Sequence, residues 1–237
     1  MFAPLMTLRA ANFQTVDFWA FDLDNTLYPA SSGLFAQIDQ RMRSFVRTRF
    51  GVDDEEARAI QKGYYRSYGT TLNGLMSEHG VDPHEFLGFV HDLDLSSLTP
   101  NPLLAEGIAA LPGRKVVFTN GSATHAERVT RQLGLAQSFD GVMDIFALKF
   151  RPKPHAEAYD ALFAHYVAQP ARAALFEDLP RNLVPAYKLG MTTVLVTGDH
   201  PWRNDGPPAP PDYADFVHHE TDDLTTFLRQ LRFEDAK

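Results

Sequence analysis

Short apolar runs alternate with helical patterns along much of the chain, and this alternation constrains the fold more than any other feature. Helices are predicted between the later runs, at Thr124–Leu133, Pro154–Tyr166 and Leu183–Leu189. Strands that alternate with helices favour a parallel sheet covered on both faces, with ligands bound beyond the carboxyl ends of the strands. The apolar runs predicted to form strands are Phe18–Phe21, Lys115–Phe118, Val142–Ile145, Ala174–Phe176 and Thr193–Val196.

The segment 31–98 breaks this alternation and contains only helical patterns. Because it follows the first strand, it predicts a helical bundle inserted at that strand's carboxyl end, as a candidate lid. We therefore predict an α/β core formed by residues 17–30 and 99–230, a helical cap formed by residues 31–98, and a disordered leader at residues 1–16. The helices predicted within the cap are Gly33–Phe50, Asp54–Tyr68, Leu72–His79 and Pro83–Asp92.

The composition argues against several classes of function. The chain has 237 residues and a net charge of −8, which is unfavourable for binding a nucleic-acid polymer. It contains no cysteine, which excludes disulfides, thiolate zinc sites and cysteine catalysis and fits a reducing, cytoplasmic location. No apolar run approaches the roughly 20 residues needed to span a bilayer, so no membrane partner is predicted. A small anionic substrate would need a local cation, because the overall field repels it.

Two carboxylates stand at the end of the first predicted strand. Asp22 and Asp24 are two residues apart, so their side chains can face the same side of the chain. Crowded carboxylates are costly unless a cation or a proton neutralises them. The pair therefore suggests a site in which one Asp is a metal-bound nucleophile and the other a proton donor. Taken alone, so short a pattern also fits a solvated strand-to-turn junction.

Three further groups follow later strands in order. A Thr-Asn-Gly segment at 119–121 follows the second strand, and its hydroxyl and free backbone N–H groups before a helix make an anion cradle. Lys153 lies between two prolines, the second of which suits the first turn of a helix. An acidic pair at 177–178 follows the fourth strand. Each group alone also fits an ordinary role, as a strand residue, a helix cap or a solvated lysine.

Together these groups meet the needs of phosphoryl transfer. Mg²⁺ prefers carboxylate oxygens, and Asp22 and Asp178 can supply them. Lys153 and the metal balance the charge of the transferred phosphoryl group, and Thr119 positions its oxygens. The order of the four groups favours this interpretation over four separate structural roles.

The same residues carry a resemblance. Over about residues 17–228 the chain resembles the haloacid dehalogenase-type phosphohydrolases, whose first signature, Asp-x-Asp-x-Thr, is matched by Asp22-Leu23-Asp24-Asn25-Thr26. This resemblance implies a Rossmann-like core with an inserted cap. More narrowly, the chain resembles the pyrimidine 5′-nucleotidase branch. The segments similar to that branch are Asp22 to Pro29, Tyr64 to Leu75, and Phe118 to Gly121 with His125-Ala126.

The resemblance implies a role for each site residue. Asp22 is expected to attack the phosphate and form an aspartyl-phosphate, and Asp24 to act as the general acid and then the general base. Thr119, Asn120 and Lys153 are expected to bind the phosphate.

The resemblance also implies a Mg²⁺ site. Its expected ligands are Asp22, the backbone carbonyl of Asp24, and Asp178. The family often has two Asp in the last signature, whereas this chain has Glu177 before Asp178. Direct ligation is assigned to Asp178, and whether Glu177 binds the metal directly or through water stays open.

The implied partner is a small phosphorylated substrate, with the pyrimidine nucleoside monophosphates UMP and CMP as the leading candidates. Phosphoglycolate or a sugar phosphate is the alternative within the same chemistry. Two other classes are a dehalogenase of the same fold and a non-catalytic binding protein. Dehalogenation has no use for a general acid at Asp24, and binding alone does not require Asp24 beside Asp22.

Overall fold

A six-stranded parallel sheet forms the centre of the fold in a computed structural model that describes residues 13–198 and 212–233. Its strands are β1 (Phe18–Phe21), β2 (Arg114–Phe118), β3 (Gly141–Met143), β4 (Ala173–Glu177), β5 (Thr192–Val196) and β6 (His219–Thr221). The order across the sheet is β3-β2-β1-β4-β5-β6, and every neighbouring pair is parallel. The predicted α/β fold class, with a Rossmann-like parallel sheet, is confirmed.

Strand β1 lies in the middle of the sheet because all four of its residues are apolar and buried. A strand covered on both faces suits a continuous apolar sequence. Ala20 pairs with Val116 of β2 on one side and with Leu175 of β4 on the other. The strand order reverses between β1 and β4, which is where ligands bind in open α/β sheets. The register therefore brings the residues that follow β1, β2 and β4 to one edge.

The two faces of β1 pack against different parts of the core. Trp19 and Phe21 belong to an aromatic group in which the rings of Phe21 and Phe176 stack with centroids 4.6 Å apart. Phe18 and Ala20 belong to a second group that includes Leu162 and other buried apolar residues. Successive strand side chains point to opposite faces, so both layers are anchored by the same four residues.

The chain divides into two compact units, which we name the core unit and the helical unit. Among the described residues, the core unit contains 13–29, 99–198 and 212–233, and the helical unit contains 30–98. Residues 1–12 of the predicted leader lie outside the described residues, whereas Phe13 and Val16 are buried.

Side-chain caps begin three helices of the helical unit. Asp53 accepts a hydrogen bond from Glu56 N at 2.9 Å, Thr70 accepts one from Asn73 N at 3.0 Å, and Asp82 accepts one from the second residue of its helix. Such caps satisfy backbone donors that a helix start leaves without partners. The helices are α1 (Leu34–Phe50), α2 (Asp54–Tyr68), α3 (Thr71–His79) and α4 (Pro83–Val90), each within two residues of its predicted bounds.

In the described part of the chain, five further α-helices belong to the core unit. They are α5 (Pro102–Ala109), α6 (Ala123–Gln132), α7 (Ala156–Tyr166), α8 (Pro180–Lys188) and α9 (Leu224–Gln230). Within the described residues, none of the helices combines the length and the apolar character needed to cross a bilayer.

Two details of the sheet differ from the sequence prediction. β3 ends at Met143 rather than at residue 145, because the Asp144 carboxylate accepts hydrogen bonds from Ala123 N and Ala147 N and begins a turn. β6 was missed: it has three polar residues, His219–Thr221, and lies at the edge of the sheet. Edge strands are often short and polar, so the apolar pattern that marks a buried strand is absent there.

Candidate active site

Asp22 stands where β1 ends, at the edge of the sheet. Its backbone N donates to Phe176 O at 2.9 Å, which continues the pairing of β1 with β4. Its Oδ1 accepts a hydrogen bond from Lys153 Nζ at 2.7 Å, and its Oδ2 accepts one from Thr26 Oγ1 at 3.2 Å. Only 7% of Asp22 is exposed. The predicted nucleophile is therefore buried and held through both carboxylate oxygens.

Lys153 joins three strand ends through its ammonium group. Nζ donates to Asp22 Oδ1, Glu177 Oε2 and the carbonyl of Phe118, each at 2.7 Å. Burial alone would lower the pKa of Lys153, but the two carboxylates outweigh it and raise the pKa above its usual value. The side chain thus stays charged within the buried site.

Asn120 holds the backbone of Lys153. Its Oδ1 accepts from Lys153 N at 2.8 Å, and its Nδ2 donates to Lys153 O at 3.0 Å. The helix predicted to begin at Pro154 begins instead at Ala156, so Pro154 is not in its first turn. The Asn120 amide therefore positions Lys153, and the second N–H of its Nδ2 group could still donate to a phosphate oxygen.

Thr119 lies at the end of β2 and is 1% exposed. Its Oγ1 accepts from Gly121 N at 2.9 Å, and an accepting hydroxyl can still donate one hydrogen bond. The N–H groups of Ala123 and His125 donate to the side chains of Asp144 and Ser122. Within the predicted cradle 119–121, the N–H groups of Thr119 and Gly121 are therefore not free, because they donate to Met143 O and to the Thr119 hydroxyl.

Asp22, Glu177 and Asp178 form a buried acidic cluster. One oxygen from each residue lies within 4.8 Å of the others, a spacing that could hold a metal ion. The side chain of Asp24 is not part of this cluster. Glu177 Oε2 accepts from Lys153 and Oε1 accepts from Leu179 N at 3.1 Å, so both of its oxygens have protein partners.

The cluster is short of positive charge. Burial first, and then Glu177, raise the pKa of Asp22 to about 7 against an opposing effect of Lys153. Burial also raises the pKa of Asp178 well above its usual range, and Glu177 and Asp22 add to the rise. Such groups take up protons or a cation to relieve their repulsion.

Asp24, the predicted acid and base, is held by two side chains of the core unit. Its Oδ1 accepts from Tyr28 OH at 2.5 Å and lies 2.9 Å from His125 Nε2. Burial, and next the nearby Asp24, raise the pKa of Tyr28 well above its usual value, which keeps the phenol protonated. Tyr28 and His125 lie in segments that resemble the nucleotidase branch, but the sequence predicted no role for either residue. A buried histidine early in α6 was the available signal, but its partner depends on the fold.

The parallel sheet, with buried carboxylates, Lys153 and Asp24 at its edge, is typical of an enzyme of the α/β class with a carboxylate-based site. The chain belongs to the haloacid dehalogenase-like hydrolase family, whose model matches residues 17–190. The resemblance predicted from the signatures is confirmed at this level.

Known proteins similar to this chain differ in activity. Over 191 residues it is 29% identical to phosphate metabolism protein 8 of Saccharomyces cerevisiae, covering 74% of this chain and 60% of that relative's length. A phosphatase of the same superfamily from Thermococcus onnurineus has a TM-score of 0.58 at 16% identity, covering 90% and 97% of the two chains. An L-2-haloacid dehalogenase from Xanthobacter autotrophicus has a TM-score of 0.53 at 17% identity, with the same coverage. Both structures share the fold, which by itself does not separate the two activities.

Proposed function

We propose that the protein is a Mg²⁺-dependent phosphomonoester hydrolase that forms an aspartyl-phosphate at Asp22. The observation that carries the proposal is the arrangement around the two acids. Asp22 lies in a buried cluster with Lys153, while Asp24 is held separately by Tyr28 and His125. This separation supports Asp22 as the nucleophile and Asp24 as the proton carrier, the two roles that phosphate ester hydrolysis requires.

The acidic cluster fits Mg²⁺. Three buried carboxylates face one lysine, so a divalent cation would offset the burial and the mutual repulsion that raise the pKa values of Asp22 and Asp178. Asp22 and Asp178 would hold the ion through their carboxylates and Asp24 through its backbone carbonyl. We propose that Glu177 acts through water, with Lys153 and Leu179 N each donating to one of its oxygens. A bound Mg²⁺ supplies charge stabilisation for the transferred phosphoryl group.

The proposed hydrolysis has two steps. An oxygen of Asp22 attacks phosphorus, the bond to the ester oxygen breaks, and that oxygen keeps the electron pair and takes the proton of Asp24. Asp24, now a carboxylate, removes a proton from a water molecule whose oxygen attacks the aspartyl-phosphate. The bond between phosphorus and Asp22 breaks, which releases inorganic phosphate and restores both acids. Thr119 can donate a hydrogen bond to a phosphoryl oxygen, and Lys153 offsets the phosphoryl charge from its hydrogen bonds to Asp22, Glu177 and Phe118 O.

We propose UMP and CMP as the substrates. The support is the resemblance of residues 22–29, 64–75, 118–121 and 125–126 to the pyrimidine 5′-nucleotidase branch. The yeast relative's name refers to phosphate metabolism, which agrees with a phosphate ester as substrate. Phosphoglycolate or a sugar phosphate is the alternative. Dehalogenation is less well supported, because that reaction needs no general acid at Asp24.

The first prediction concerns the metal. We expect phosphate release from UMP and CMP in Mg²⁺, and its loss in excess EDTA, with recovery when Mg²⁺ is restored. The same samples should release no chloride from L-2-chloropropionate. Full phosphatase activity in EDTA would contradict the Mg²⁺ requirement, and chloride release without phosphate release would favour the dehalogenase.

The second prediction concerns the nucleophile. Asp22→Asn should abolish turnover and prevent trapping of a ³²P-labelled acyl-phosphate. Asp24→Asn should slow both steps, and the loss of a positioned acid and base typically costs about 10²–10⁴-fold. Label that persists in Asp22→Asn would place the nucleophile at another residue.

A further inference from the structure

The Asp24 carboxyl group is anchored by side chains from two separate parts of the core unit. Tyr28 lies four residues later, in the turn after β1, and His125 lies 101 residues later, in the first turn of α6. Both contact the same oxygen, Oδ1, at 2.5 and 2.9 Å. Tyr28 is 2% exposed and His125 is 1% exposed, so neither contact is an accidental pairing of mobile surface groups.

The contacts define which oxygen of Asp24 handles the proton. An ionised carboxylate only accepts hydrogen bonds, so the phenol and the imidazole Nε2 both act as donors to Oδ1. A proton carried by the protonated acid then belongs on Oδ2. The last side-chain torsion of Asp is broad and roughly two-fold, so nothing within the residue itself would keep one oxygen in this place.

The fold explains why the anchors are rigid. Ser122 caps α6 by accepting from His125 N at 3.3 Å, and Ala126 and Val129 bury the same helix against the core. A buried imidazole needs a polar partner, and Asp24 provides one. Tyr28 reaches Asp24 from the turn that also contains Thr26, whose hydroxyl donates to Asp22. One short turn therefore orients both acids of the site.

We propose that Tyr28 and His125 are positioning residues that fix the Asp24 carboxyl group, so that Oδ2 transfers the proton to the leaving group and from the attacking water. The inference rests on the proposed function and adds to it. Neither residue is assigned contact with the substrate; both act through Asp24. A displacement of about 1 Å in a catalytic group can cost around 10²-fold, so a loss of about 10–100-fold is expected for each anchor.

The test compares two esters that differ in their need for an acid. p-Nitrophenolate leaves readily without a proton, whereas the alkoxide of glycerol 3-phosphate needs one. For Tyr28→Phe and His125→Leu we expect kcat/KM to fall about 10–100-fold for glycerol 3-phosphate and less than about threefold for p-nitrophenyl phosphate. This parameter reports only the steps up to aspartyl-phosphate formation, so the water-dependent step is followed separately, as decay of the trapped intermediate. That decay should slow equally whichever ester formed it.

Three controls separate positioning from a structural effect. His125→Gln, whose amide can donate near the Nε2 position, should restore much of the activity on the alkyl ester. Tyr159→Phe also removes a buried tyrosine hydroxyl, one that donates to Asn182 O, and should leave the ratio between the two esters unchanged. In an Asp24→Asn background, Tyr28→Phe and His125→Leu should cause almost no further loss, because residues that act as a unit are not additive. Thermal unfolding confirms that each variant is folded.

The outcomes separate the inference from the function on which it rests. Equal losses for both esters, or an undiminished loss in the Asp24→Asn background, would overturn the positioning role while leaving the phosphatase intact. If His125→Leu does not fold, Tyr28→Phe and His125→Gln give the same comparison. If the wild-type protein in Mg²⁺ hydrolyses neither ester and releases no phosphate from UMP or CMP, the proposed function fails, and the inference fails with it.

Discussion

At the scale of single residues, Lys153 decides the charge balance of the candidate site. It is the lysine that contacts Asp22 and Glu177, and its side chain is 1% exposed. A buried ion pair gains little over apolar residues of the same shape, but removal of one partner leaves a buried charge that nothing compensates. Lys153 therefore affects both phosphate binding and the stability of the fold.

The third prediction follows from that balance. Lys153→Met should abolish phosphatase activity and lower the free energy of unfolding by about 3–5 kcal/mol, as measured by urea denaturation in EDTA. Lys149 is exposed and lies four residues earlier, so Lys149→Met should change stability by less than about 0.5 kcal/mol and keep the activity. If Lys149 proved to be the essential residue instead, the alignment of the third signature would be wrong.

The sequence predicted the residues of the site more readily than their contacts. Asp22 and the acidic pair at 177–178 could be found because they lie at the ends of recognisable strands, and Lys153 could be found because two prolines flank it. The hydrogen bond network around Asp24 could not, because a pair separated by 101 residues meets only after α6 has packed on the sheet. The role of Asn120 was hidden for the same reason, since its partner is a backbone segment 33 residues away.

At the scale of secondary structure elements, local signals decided what could be predicted. Helix α2 was predicted with its observed bounds, because Asp53 caps its start and Gly69, with a φ of 79°, ends it. Helices α5 and α9 were not predicted. They have eight and seven residues, so each shows its helical period over only about two turns, as α4 also does. Their position comes from packing, as in the ring contact between Phe227 of α9 and Phe176.

The fourth prediction concerns the start of α9. Asp223 caps the helix by accepting from Thr226 N at 3.0 Å, and the Thr226 hydroxyl lowers the pKa of Asp223 first, with the backbone N–H adding to the effect. Asp223→Ala should cost about 1 kcal/mol of unfolding free energy at pH 7, and Asp222→Ala, an exposed neighbour without the cap, should cost less.

The pH dependence of this effect has a defined sign. A lowered pKa means that the folded state favours the ionised carboxylate, so the stabilisation is present above the ordinary value of 3.8 and is lost as the pH falls through the folded pKa. The difference between wild type and Asp223→Ala should therefore shrink below about pH 4. Urea denaturation at several pH values measures it, and a difference that grows on acidification would rule out the charged cap.

At the scale of the whole molecule, the sequence of the helical unit interrupts the sequence of the core unit. The helical unit, residues 30–98, is inserted directly after the turn that carries Asp24 and Tyr28. On the proposed function, the residues of the core unit that surround Asp22 bind phosphate and metal and transfer protons, and none of them is assigned a contact with the leaving group. We expect substrate choice to depend on the helical unit, and on its segment 64–75 in particular.

That segment joins α2 to α3 through polar contacts within the helical unit. Tyr68 OH donates to Glu78, and Asn73 Nδ2 donates to Tyr68 O at 3.3 Å. The ring of Tyr64 lies so close to Gly74 that an added Cβ would approach it to within 2.3 Å. A change at Gly74 would therefore disturb the fold, whereas Tyr68 and Asn73 can be altered with a smaller effect on packing.

The fifth prediction uses this difference. Tyr68→Ala and Asn73→Ala should lower kcat/KM for UMP and CMP about tenfold, the size expected when one or two contacts worth about 1 kcal/mol each are lost. Acetyl phosphate has no base or sugar for these side chains to contact. Its kcat/KM should therefore change less than about threefold. Glu78→Gln is the control, because it alters the hydrogen bond partner of Tyr68 but keeps the Tyr68 ring. It separates loss of the Tyr68–Glu78 contact from loss of a contact between Tyr68 and the substrate. A uniform fall for all substrates would show that the segment is structural. A wild-type enzyme that hydrolyses phosphoglycolate as readily as UMP would refute the pyrimidine specificity, while the chemistry at Asp22 and Asp24 would stand.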